Sequence, residues 1–174
     1  LRYDHAGIGR YIWNLQAAIA QEHDVSVDVQ MLVDRRTRLN EAPSLPIRKV
    51  IAPVRTGMEG VLIFPGIRAM DLVHFPDHGV PVGVKKPSVV TVHDVSFLSH
   101  PETHSRQSRR HYTEAVKSLR RADQVIAVST HIRTLLLNRG LADSERITVV
   151  PEAAGLRHDV LMRDELWPAP YAVA

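Results

Sequence analysis

The sequence predicts an α/β fold built on a doubly wound parallel sheet, and three observations carry that prediction. Ser88 to Asp94 reads Ser-Val-Val-Thr-Val-His-Asp, a β-branched run entered through Pro87 and stopped at two polar residues. Gln124–Val128 and Arg146–Val150 repeat the pattern, the second closed by Pro151. Short continuous apolar runs bounded by breakers are what strands buried on both faces look like, as they are inside a parallel sheet. Helical periodicities lie between them, and strands alternating with helices at this spacing point to a Rossmann-like sheet.

Each element follows from its residues. Ala6-Gly7-Ile8-Gly9-Arg10 leads into a segment where Ile8, Tyr11, Ile12, Leu15, Ala18 and Ile19 share a helical face, fading near Glu22. Val25, Val27, Val29, Met31 and Val33 alternate with other residues at strand period. Residues 34–46 are polar and read as a loop. Ile47–Ile51 predicts a short strand closed by Pro53, whereas Pro65 and Gly66 interrupt any helix in 57–70. Asp71–Phe75 is a strand stopped by Pro76, and 77–87 is a loop. After the central strand, 95–104 reads as irregular. Tyr112, Ala115, Val116 and Leu119 then define a helix face, with Arg106, Arg109, Arg110, Lys117, Arg120 and Arg121 mostly elsewhere. Ser129-Thr130 caps a last helix, which carries Ile132, Leu135 and Leu136 and stops at Gly140.

The composition is that of an ordinary soluble domain. A chain of 174 residues with 44% hydrophobic and 24% charged content has enough material for one sizeable core. No apolar run approaches the roughly 20 residues that span a bilayer. The absence of cysteine removes disulfides, thiolate metal sites and cysteine nucleophiles, and fits a reducing compartment. A formal charge of +3 and a pI near 9.5 permit an anionic partner without requiring one. Both ends read as cut: Leu1 opens without a leader, and Pro170–Ala174 resembles the start of another strand.

Ligands of open α/β sheets bind beyond the carboxyl ends of the strands. The polar residues at those ends are His74 with Asp77 and His78, His93 with Asp94, Ser129 with Thr130, and Glu152 after Pro151. A rim histidine can move a proton near neutral pH or hydrogen-bond a sugar or phosphate; it can equally be a satisfied structural side chain. The turn Gly7-Ile8-Gly9-Arg10 opens a helix, where free N–H groups and the helix dipole favour an anion. It shares the rim only if a strand precedes Leu1.

Other chemistries fit less well. His74, Asp77, His78, His93 and Asp94 offer nitrogen and oxygen ligands for a metal-dependent hydrolase, but no His-Glu-x-x-His occurs and Pro101 separates His100 from His104. No nucleophile elbow surrounds Ser129, for which a helix cap suffices. The basic helix face lacks the interleaved aromatics of nucleic-acid binders, so no nucleic-acid partner is expected. A nicotinamide site would need a third glycine where Ile12 stands and an acidic ribose partner at the usual spacing, whereas Val25–Val33 carries only Asp28, mid-strand. A non-catalytic α/β binding domain remains open on the residues alone.

Taken together, AGIGRYIWNLQAAIA, DLVHFP, PSVVTVHDVSFLSHPE, RRADQVIAVSTHIRTLLL and ERITVVPEAA resemble the N-terminal half of a family 4 retaining glycosyltransferase, in the order that family uses. The resemblance spans most of 6–154 and is thinnest over 35–70. It implies one half of a GT-B architecture: an acceptor-side domain over 1–151 lacking its first strand, an interdomain linker over 152–170, and the start of a donor-binding domain at 171–174. It implies transfer from a nucleotide-sugar donor to a saccharide or lipid-linked acceptor, with neither cofactor nor metal. A cytoplasmic location is expected, with peripheral contact at the inner membrane face allowed. By the same resemblance Gly7, Ile8, Gly9 and Arg10 face the donor phosphates. His93 contacts the transferred sugar or the acceptor, Asp94 stands beside it in the catalytic pair and shapes the loop, and Ser129 lines the cleft or caps its helix. Ala6 departs from the family's frequent first glycine.

Overall fold

The computed structural model describes residues 7–22, 27–34, 39, 42–50, 65–77 and 79–152. The expected linker beyond Glu152, the domain start at 171–174 and His78 lie outside the described residues.

Four strands form the central sheet: β3 (Val73–Phe75), β4 (Ser88–Val92), β5 (Gln124–Ala127) and β6 (Ile147–Val149), in that order and all parallel. A second parallel pair joins β1 (Met31–Asp34) to β2 (Ile47–Val50). This is the α/β, parallel, Rossmann-like architecture expected from the apolar runs. β4 lies between two partners, and Val90, Thr91 and Val92 are fully buried. That is why its sequence is a continuous run instead of an alternation.

Helix α1 (Ile8–Gln21) starts at Gly7, whose φ of 55° lies in the left-handed region that suits glycine. Its burial differs from the expected stripe. Ala18 is exposed, and the most buried side chain of α1 is Gln16. Both ends of the Gln16 amide are bonded: Oε1 accepts from Ser44 N–H at 2.7 Å and Leu45 N–H at 3.2 Å, and Nε2 donates to Trp13 C=O. It ties α1 to the approach to β2, and a buried polar group is tolerated when bonded in this way.

Two expectations need correction. The strand expected over Val25–Val33 is ordered as a ladder only from Met31, because its partner β2 offers four residues of register; residues 23–26 lie outside the described set. The segment 95–104 is not irregular: it forms a short helix, α2 (Ser96–Ser99), and a 3-10 turn over Pro101–Thr103. Asp94 starts α2 by accepting from Ser96 N–H, and Pro101 opens the turn, where its missing N–H costs nothing. Residues 65–67 are helical despite Pro65 and Gly66, and Ile67 is fully buried.

Helix α3 (Arg106–Lys117), capped by Ser105, continues into a 3-10 turn over Ser118–Arg121 and packs on the sheet through Val116 and Leu119. Helix α4 (Thr130–Asn138) does so through Ile132 and Leu136. It ends in a Schellman motif: Gly140 has φ 59°, its N–H bonds Leu137 C=O, and Leu141 N–H bonds Leu136 C=O. With α3 and α4 serving as crossovers, the carboxyl ends of β4, β5 and β6 open on one edge.

Candidate functional site

β4 stops at Val92, and His93 is the first residue past it, its side chain 12% exposed. Both ring nitrogens are engaged. Nε2 lies 2.9 Å from Pro76 C=O, just beyond β3, and Nδ1 lies 2.6 Å from Oε1 of Glu152, beyond β6. Glu152 therefore reaches past the end of β5. A carbonyl and a carboxylate are both acceptors, so both contacts are satisfied together when both ring nitrogens carry hydrogen. The Tyr11 ring meets the imidazole edge-on, with centroids 4.7 Å apart.

Beneath this ring, the buried Thr91 hydroxyl lies 3.2 Å from Tyr11 Oη and 2.9 Å from His74 Nε2. Tyr11 belongs to the first turns of α1, and its contacts with Thr91 and His93 bring the Gly7–Arg10 turn to the rim. Among the described residues, the first-turn N–H groups there meet no capping side chain, and the first turn itself carries no acidic residue. Thus the chain brings together the glycine turn, His74, His93 and Glu152. Asp94 and Ser129 are occupied locally.

Burial depresses the pKa of His74, and the charge of His93 depresses it further. A group depressed in the folded state contributes stability that is present above its unfolded value, about 6.5, and is lost as pH falls through its folded value. His74→Gln should therefore flatten the loss of unfolding stability below about pH 6.5. Urea titrations of both proteins across that range check this, and parallel curves would refute it.

Asp94 turns away to Ser96: Oδ1 accepts from its N–H at 2.7 Å and Oδ2 from its hydroxyl at 2.5 Å. Partial burial works to raise the Asp94 pKa. The Ser96 hydroxyl, the Ser96 and Val95 amides and nearby His104 outweigh it and hold the carboxyl below its usual range. Asp94 thus organises the loop after the strand. His104 continues that loop through Ser96 Oγ at 3.2 Å and an edge contact with Phe97.

Ser129 caps α4, its hydroxyl accepting from Ile132 N–H at 3.2 Å. Ser129→Ala should cost about 1 kcal/mol of stability and leave turnover unchanged. A loss of turnover at unchanged stability would place Ser129 in the cleft instead.

Two partners, Tyr11 and Thr91, carry no site signal in the sequence. Tyr11 reads as an ordinary member of a helix face, and Thr91 as part of a strand. Only Glu152 carried a usable signal, since it follows Pro151 at a strand end just as His93 follows Val92. The metal-ligand reading finds no support among the described residues, where no three His, Cys, Asp or Glu side chains are grouped to hold an ion. No described helix is long and apolar enough to cross a membrane.

Comparison with known proteins gives one result that covers most of the chain: residues 5–154 match the family model described as Glycosyltransferase Family 4. No curated protein matches the chain.

Proposed function

The chain belongs to glycosyltransferase family 4, and from that premise we propose that it transfers a sugar from a nucleotide-sugar to a saccharide or lipid-linked acceptor with retention of anomeric configuration. Membership itself makes it a glycosyltransferase domain with a sugar donor and an acceptor. The observation that most supports the finer reading is the imidazole of His93, held at the sheet rim between Pro76 and Glu152 and beside the Gly7–Arg10 turn.

In this reading residues 1–151 form the acceptor-side domain, 152–170 lead onward, and a donor-binding domain follows. Cleavage of the sugar–phosphate bond develops positive charge on the sugar and negative charge on the departing phosphate. The amides of Ile8, Gly9 and Arg10 at the helix start, the α1 dipole and the Arg10 guanidinium favour that negative charge as it grows, and no metal is needed for it. His93 orients a sugar hydroxyl. Its Nε2 is anchored on Pro76, so the hydroxyl approaches from the Nδ1 side, where Glu152 is 41% exposed and can share or yield its place. Glu152 and Tyr11 hold the ring in position, and Asp94 fixes the loop that carries it. Retention proceeds on one face of the sugar, and His93 need not be the base.

Incubating the full-length protein with a panel of nucleotide-sugars and candidate acceptors tests this. The expected product has the donor's anomeric configuration by proton NMR, and its rate of formation is unchanged by EDTA. An inverted product, or turnover abolished by EDTA and restored by a divalent ion, would overturn it.

A further inference from the structure

A groove of about 420 Å³ separates α2 from α3, away from the contacts of His93. One wall is apolar, from Phe97 and Pro101; the other is cationic, from Arg106, Arg109 and Arg110. The three arginines stand at positions i, i+3 and i+4 of α3, so they share one helix face. Among the described residues no carboxylate pairs with any of them. Glu114, which closes the end of the groove, is drawn off by Lys117 at 2.9 Å. Arg109 is the telling member: among the described residues its buried Nε finds no acceptor. A buried N–H without an acceptor is costly, and natural structures rarely carry one without a reason.

From these observations we infer that this groove binds a phosphate group. Guanidinium forks match phosphate oxygens in pairs, and charge-assisted bonds of this kind are the strong ones. A phosphate seated between the three side chains bonds the guanidinium groups that line the groove and offsets three like charges crowded on one face. The apolar wall accommodates a phosphate carried on a hydrocarbon body as well as a free one. This site is separate from the Gly7–Arg10 turn, and its chemistry does not depend on the transfer reaction proposed above.

The test uses the full-length protein with two probes, inorganic phosphate followed by phosphorus NMR and phosphatidylcholine vesicles with or without phosphatidylglycerol followed by co-sedimentation. Arg106→Gln/Arg109→Gln should weaken binding of at least one probe about tenfold or more. Lys85→Gln, which removes one exposed charge elsewhere, should leave it unchanged. Loss with both probes or with phosphate alone identifies a site open to free phosphate; loss confined to phosphatidylglycerol vesicles identifies a lipid headgroup. Should the double variant not fold, Arg109→Lys keeps the charge but lacks the guanidinium fork, and a several-fold loss is expected. Absence of binding to either probe, or equal binding by variant and parent, overturns the inference.

Discussion

Replacing His93 with alanine in the full-length protein is expected to lower turnover about 100-fold while the protein remains folded. The imidazole touches β3's exit, β6's exit and α1 at once, through Pro76, Glu152 and Tyr11. Removing it takes away the group that orients the sugar hydroxyl, and it also leaves Glu152 free to swing into the space. The loss should therefore fall mainly on kcat. Glu152→Gln separates the two effects. An amide oxygen still accepts from Nδ1 but carries no charge, so the ring stays in place and the loss should be about tenfold. Steady-state kinetics of both variants, with unfolding midpoints measured alongside, check this. If His93→Ala turns over at the parent rate, the imidazole has no place in the site.

Leu136→Ala is expected to destabilise the domain by about 2–5 kcal/mol. Leu136 is fully buried where α4 meets β5 and β6, among Val125, Ala127, Ile132 and Ile147. Truncation there removes transfer free energy and leaves a cavity that the surrounding β-branched side chains cannot collapse to fill. Leu72, more than half exposed just before β3, supplies the control: Leu72→Ala should change stability by no more than about 0.5 kcal/mol. Urea unfolding of the three proteins is the check. Equal midpoints would mean that the core does not lie where the four-stranded sheet puts it.

Much of the fold was legible because buried parallel strands leave a mark that needs no tertiary information. Ser88–Val92, Gln124–Ala127 and Ile147–Val149 are all apolar or β-branched runs ended by a breaker or a polar residue. The Ser129 cap and the Gly140 stop were legible for the same reason, since each is a local backbone need met by a local side chain. What escaped depended on contacts distant in sequence. Gln16 looks polar and exposed on a helical wheel, but Ser44 and Leu45 need its oxygen. The true length of β1 was set by β2, which its own alternation could not reveal. In the site, His93 was found because it ends the most apolar strand. Tyr11, 80 residues from its partner Thr91, could not be placed before the helix was docked. Glu152 was visible at a strand end, but its bond to His93 follows only from β6 lying two places from β4 in the sheet.

The most direct test of the site is the nitrogen-15 spectrum of histidine-labelled full-length protein, titrated with the nucleotide-sugar that it turns over. If the sugar sits against the rim of the parallel sheet, the His93 ring resonances move on binding, Nδ1 more than the Pro76-anchored Nε2, while those of exposed His100 and His131 stay still. Resonances of His93 that do not move at a donor concentration supporting full turnover would contradict the account.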